Sequence, residues 1–343
     1  MGHERQMERL TSTDSSDAGP ASARAARPWL ARVQPGLFGI ALGTLGLAGT
    51  WLKMQPLVGD VAQTIYSALL LAGATVLVIV FGIWAAKVVR HFDVVRQEFV
   101  HPVQGPLLAL LPVSTLLLVT LLAPFEADGR VAATMVVVAA LALQFAIAWE
   151  VVALLSTGRM PAELVTPALY LPIVPGGLVG AMALAAIGYP GWAALLFGSG
   201  VGGWALLEAR ILHQLFAGPL PAPIRPTLGI EIAPASVSTL AAAALWPQLP
   251  ADALMVCLGI ACGPVIAVLT RWRWWSDVPF SVGFWSFSFP VAALAAAIVE
   301  AVRRGGWSTW VAWIAVAIAS AIIGFLALRT LWLLARGRLL PSP

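Results

Sequence analysis

Ten stretches of predominantly apolar residues run along this chain of 343 residues, at about 33–53, 62–87, 103–123, 131–155, 167–188, 191–213, 226–248, 250–270, 279–302 and 307–335. Each is roughly 20 residues or longer, enough to cross the hydrocarbon core of a bilayer as a helix. A soluble core of this size could not hide that much apolar surface. Some 60% of the residues are hydrophobic, 10% are charged, and the mean hydropathy is +0.89. The expectation is an all-α integral membrane protein with ten transmembrane helices.

Lys and Arg near the span ends set orientation. One side collects Arg24, Arg27, Arg32, Lys87, Arg90, Arg96, Arg159, Arg210, Arg225, Arg271, Arg273, Arg336 and Arg338, and the other only Lys53, Arg130, Arg303 and Arg304. Both termini are therefore expected to be cytoplasmic, which agrees with an even number of spans. Residues 1–32 are polar and contain no apolar signal-peptide core, so they are expected to be a disordered cytoplasmic tail. A ten-helix domain over 33–338 and a short C-terminal tail, 339–343, complete the division. Cys257 and Cys262 fall about 140° apart round one helix, which gives neither a disulfide framework nor a metal site. No basic cluster is interleaved with polar readout residues, so a nucleic-acid partner is not expected.

The prolines are patterned. The third, fifth, seventh and ninth spans each pair a proline near the cytoplasmic start with others further in: Pro102 with Pro112, Pro167 with Pro172 and Pro175, Pro226 with Pro234, and Pro279 with Pro290. The first span has Pro35 and then glycines. Among the even spans only Pro264 is interior. Pro112, Pro172, Pro234 and Pro290 are 60, 62 and 56 residues apart, the length of one helical hairpin per repeat. Five hairpins are expected, with the odd spans as an inner ring around an axis and the even spans as an outer ring. The competing account is that proline is simply commoner in membrane helices, but it leaves the odd/even split unexplained. For Gly39, Gly43 and Gly46, close helix packing and pore lining are both open.

No His, Cys or acidic cluster within a span points to an enzyme or a metal site, and no cofactor is implied. Four acids within spans need an account, since charges there are costly. Glu150 and Glu208 fall on even spans, Glu208 beside Arg210, and suit structural roles at the cytoplasmic interface. Glu231 is on an odd span, one turn before Pro234, either paired with Arg225 or another base or placed at a pore mouth. Glu300 is near the outer end of span nine beside Arg303 and Arg304, and an ion pair is its simplest account. The middle of the inner ring is then uncharged and small-lined. Such a path suits anions that dehydrate cheaply, helped by backbone N–H groups freed at the prolines and attracted by the basic cytoplasmic rim.

Within FWSFSFPVAAL, residues 284–294, a helical wheel puts Val282, Ser286, Phe289, Ala293, Ala296 and Glu300 on one face. Phe287 falls opposite, near Phe280, Phe284, Val291 and Leu294, and Trp285 stands at the edge of the small-residue face. Phe287 is expected to pack. For Phe289, packing and occlusion of a narrow pore are both open.

The segments PGLFGIALGTLGLAGTW, HPVQGPLLALLPVSTLLL, TPALYLP, LFGSGVGGWALLEARILHQ, PTLGIEIAPAS and FWSFSFP, in this order, resemble the tellurite-resistance/dicarboxylate transporter family, which joins bacterial TehA-like proteins to the plant guard-cell slow anion channels. The resemblance covers about 33–338. It implies a homotrimer in a cell membrane, here a bacterial inner membrane, with one pore per protomer inside five helical hairpins. It further implies that Phe289, after Ser288 and before Pro290, occludes the pore as the gate. Gly39, Gly43, Pro112, Pro172, Pro175, Pro234, Ser286, Pro290 and Ala293 would then be lining or kink positions. The implied function is passive conduction of chloride and nitrate. The alternative within the family is a secondary carrier of malate, sulfite or tellurite. Glu231 departs from the apolar residue expected at its position and is the candidate pH-sensitive group.

Overall fold

The computed structural model describes residues 28–340. Among them every element is an α- or 3-10 helix, and ten are long and apolar enough to cross a membrane: Pro35–Val58, Asp60–Arg90, Gln104–Leu122, Gly129–Ser156, Pro167–Ala186, Pro190–Ala217, Ala222–Leu245, Ala251–Thr270, Val282–Gly305 and Thr309–Ala335. These are the ten spans, numbered in chain order below. His3, Arg24, Arg27 and the expected tail as far as residue 27 lie outside the described residues. Residues Trp29–Arg32 form a 3-10 turn in which Leu30 is buried against the core.

Burial alternates along the chain. In the most apolar stretch of each odd-numbered span, 61–83% of the residues are buried, against 17–28% in the even-numbered spans. Consecutive spans pack in pairs, 1 with 2, 3 with 4, 5 with 6, 7 with 8 and 9 with 10. The odd spans also pack on one another in sequence, 1 on 3, 3 on 5, 5 on 7, 7 on 9, and 9 back on 1. Spans 1 and 2 are joined by Gly59 alone, at φ 66°, a left-handed conformation that costs glycine least.

The proline repeat marks a change of helix type. Four odd spans begin as a 3-10 segment and continue as an α-helix: Pro35–Leu37 into Phe38–Val58, Pro167–Leu169 into Tyr170–Ala186, Ala222–Ile232 into Ala233–Leu245, and Val282–Phe287 into Ser288–Gly305. Span 3 begins with the short helix Gln104–Leu108, breaks at Ala109, and resumes as Leu110–Leu122. Pro112, Pro172, Pro234 and Pro290 all fall within the first three residues of the α-helical part. Proline is tolerated in the first turn of an α-helix without breaking it. The expected interior kinks are thus helix starts.

Pro175 is different, because it lies inside its helix. Its missing N–H leaves the Leu171 carbonyl, four residues earlier, without its usual donor. Gln144 of span 4 reaches across and donates from Nε2 to Leu171 O at 2.9 Å and to Pro172 O at 2.6 Å. At this proline it is a carbonyl, not an N–H, that loses its partner, and a side-chain amide covers it.

Two rim charges are held in ion pairs within the protein, Glu300 with the partners expected of it. Lys87 is fully buried, donating to Val33 O and pairing with Glu98 at 2.6 Å, so it clamps the segment before span 1 instead of facing the headgroups. Glu300 is buried and bonded to Arg303 and Arg304, and Lys53 of span 1 approaches it to 3.5 Å, an ion cluster tying span 9 to span 1.

Gln144→Leu removes the donor and leaves the carbonyl at the Pro175 break without a side-chain partner. It is expected to destabilise the protein by about 1–3 kcal/mol, seen as a lower thermal unfolding midpoint in detergent. An unchanged midpoint would contradict this role for the amide.

Candidate anion path

A cavity of about 450 Å³ is lined by residues of all five odd spans. Its deepest residue on each is Leu42, Leu110, Pro175, Ala233 and, on span 9, Phe289 with Pro290. From that level it runs toward the 3-10 ends of the spans, past Gly39, Thr227, Trp285 and Ser286, to a mouth where Gln34, Gln104 and Ser281 stand. The five spans contribute neutral side chains only. The last described residues, Arg338–Leu340, complete the wall.

Span 9 is held in place over residues 285–292. Its 3-10 segment is pinned on two sides: the Ser286 hydroxyl donates to the Pro226 carbonyl of span 7, and the Trp285 indole N–H donates to the Thr330 hydroxyl of span 10 at 2.8 Å. The Thr330 hydroxyl in turn donates to Leu326 O at 2.7 Å, so this buried chain is satisfied throughout. Where the α-helix begins, span 1 comes so close that a Cβ built on Gly43 would overlap the Ser288 side chain. A Cβ on Gly46 would meet the Phe289 ring at 3.0 Å and Ala292 at 3.2 Å. Thr50 closes the seam by donating to Ala292 O at 2.9 Å. Phe289 is thus buried, with its ring against glycine and its edge on the cavity.

The neighbouring rings behave otherwise. Phe287 packs on Trp275 with centroids 4.5 Å apart, and Phe284 stacks on Phe280 at 5.5 Å. Neither Phe287 nor Phe284 lines the cavity, and the wheel had placed both on a packing face. The wheel assumed α-geometry from residue 282, however, whereas Val282–Phe287 is a 3-10 helix of about three residues per turn. The tighter winding brings Trp285 onto the lining together with Val282, Ser286 and Phe289.

Of the other expected positions, Gly39, Pro175, Ser286 and Pro290 lie on the lining, while Gly43, Pro112, Pro172, Pro234 and Ala293 are buried away from it. Gly43 and Gly46 belong to packing, and Gly39 both faces Trp285 and borders the cavity. Glu231 is buried off the lining, its Oε2 accepting from Arg271 at 2.7 Å, so the base it meets is Arg271 of the turn after span 8 instead of Arg225. Glu208 takes hydrogen bonds from Tyr170 at 2.5 Å and Trp204 at 2.8 Å instead of pairing with Arg210. Sequence reasoning gave no sign of the Trp285–Thr330 bond, since spacing within one helix says nothing about a partner on another. Nor did it place Arg338–Leu340 at the mouth.

Residues 32–331 match the family described as SLAC1, voltage-dependent anion channel. Over 303 residues the chain is 26% identical to the tellurite resistance protein TehA homolog of Haemophilus influenzae, an alignment that covers 88% of this chain and 91% of that protein. Over 281 residues it is 24% identical to the guard cell S-type anion channel SLAC1 of Arabidopsis thaliana, covering 80% of this chain and 50% of the plant protein. The chain therefore spans about half the length of the plant relative.

Because the seam between spans 1 and 9 leaves no room for a side chain, Gly43→Val is expected to cost about 3 kcal/mol or more by overpacking. The same change at Gly82, where nothing lies within 4 Å, is expected to be tolerated. Folded yield on size-exclusion chromatography compares them; equal yields would contradict the close approach.

Proposed function

This chain belongs to the SLAC1/TehA family of voltage-dependent anion channels, and on that premise we propose that it is a passive channel for small monovalent anions such as chloride and nitrate. Membership and the ten apolar helices make it a multi-pass membrane protein of anion transport. The finer reading is that the five odd spans form an inner ring around the pathway, with the even spans outside, and that the ring of Phe289 is the gate. Its strongest support is one observation: a single cavity touches all five odd spans, carries neutral side chains on each of them, and ends at Phe289.

A neutral wall favours passage over retention. An anion entering it gives up part of its hydration without a fixed countercharge deep in the path to hold it, so monovalent ions with weakly held water pass most easily. The carrier reading, for malate, sulfite or tellurite, would need a coupling group on the path. Glu231 is the acid of the odd spans nearest the cavity lining in sequence, and it is off that lining and bonded to Arg271. The protein is further proposed to be a homotrimer in a cell membrane with one pathway per protomer and both termini cytoplasmic, as the family resemblance and the Lys/Arg bias suggest.

Phe289→Ala is expected to raise chloride and nitrate conductance several-fold in planar bilayers, with a reversal potential that follows a chloride gradient and ignores a pH gradient. Glu231→Gln should leave that indifference to pH unchanged. An unaltered current from well-folded Phe289→Ala would sink the gate assignment, and a reversal potential that moves with pH at fixed chloride would favour the coupled carrier.

A further inference from the structure

The cavity lining holds one charged side chain among the described residues, Arg338, and that residue belongs to none of the odd spans. It reaches the mouth because span 10 ends in a built reversal. Gly337 sits at φ 63°, in the left-handed region that favours glycine. The Arg338 N–H returns to Leu333 O at 2.9 Å and the Gly337 N–H to Leu334 O at 3.0 Å, the pair of bonds that terminates a helix and turns the chain back. Leu339 and Leu340 then pack against the hydrophobic core, and both join Leu333 and Arg338 in the cavity wall. An outer span thus delivers an arginine to the wall of a path whose five inner spans offer no charge. No carboxylate of the described residues lines the cavity, and none forms an ion pair with Arg338.

We propose that Arg338 is an anion-recruiting group at the mouth of the cavity, held there by the Gly337 turn. This rests on the reading of the cavity as an anion path. A guanidinium keeps its charge at any pH the protein meets, and low-dielectric walls focus its field into the opening, raising the local concentration of small inorganic anions. Its position matters as much as its charge. At the mouth it attracts ions without the deep, tight binding that would stop them leaving.

Surface recruitment by one charge has a signature in salt. In bilayers holding the Phe289→Ala protein, Arg338→Gln is expected to lower chloride conductance about twofold or more at ~10 mM chloride, where the Debye length is about 30 Å, and to have little effect at ~1 M, where it is about 3 Å. Arg338→Lys, which keeps the charge, should retain the parent conductance at both. The proposal is overturned if Arg338→Gln conducts normally at low salt, if its loss is the same at both concentrations, or if lysine fails to substitute. Absence of chloride current from both the unmodified chain and Phe289→Ala would instead bring down the conduction reading, and this inference with it.

Discussion

A backbone carbonyl or N–H in hydrocarbon must find its partner inside the protein, and proline, which has no N–H, makes that requirement local. The odd spans meet it by placing Pro112, Pro172, Pro234 and Pro290 in the first turn of an α-helix, where proline is tolerated. The 3-10 segments that precede most of these turns wind more tightly and advance further per residue. Where Pro175 sits deeper in its helix, a glutamine from the neighbouring span supplies the donor. Helices built this way are best placed against other protein, and it is the odd spans that are buried.

Burial in turn sets the chemistry of the cavity. The junction on span 9 brings Ser286, Phe289 and Pro290 to the lining, while Trp285 and Ser286 spend their hydrogen-bonding groups on spans 10 and 7. Little polar capacity is left facing inward. Glu231 and Glu300 are turned to Arg271 and to the Lys53, Arg303 and Arg304 cluster. On the proposed reading, a wall with its acids turned elsewhere, glycines that admit a phenyl ring and, among the described residues, a single arginine favours passage of anions over coupling to protons.

The ten spans, the alternation of their burial and the shared place of Ser286 and Phe289 on the cavity lining were legible in the sequence because each follows from a periodic signal: apolar length, proline spacing and helical repeat. What the prolines do was not legible. Spacing locates Pro172 and Pro290 but does not say whether the preceding turn is α or 3-10, and that choice moves Trp285 from the edge of a stripe onto the lining. Partners from distant spans were also hidden. Gln144 on Leu171, Thr330 beneath Trp285 and Arg271 on Glu231 depend on which helices are neighbours, and a repeat suggests this only in outline. Lys87 looked like one more rim charge, and only its burial against Val33 and Glu98 distinguishes it.

On the proposed function, anions pass along the face of span 9 that carries Ser286 and Phe289. Modification of single cysteines by a small thiol reagent during conduction tests it most directly, using Phe289→Ala protein with Cys257 and Cys262 replaced by alanine. Ser286→Cys on the lining is predicted to react and block the current, and Phe284→Cys, off the lining, is predicted to leave it intact. Block at 284 with none at 286 would contradict the account and move the path to another face of the helix.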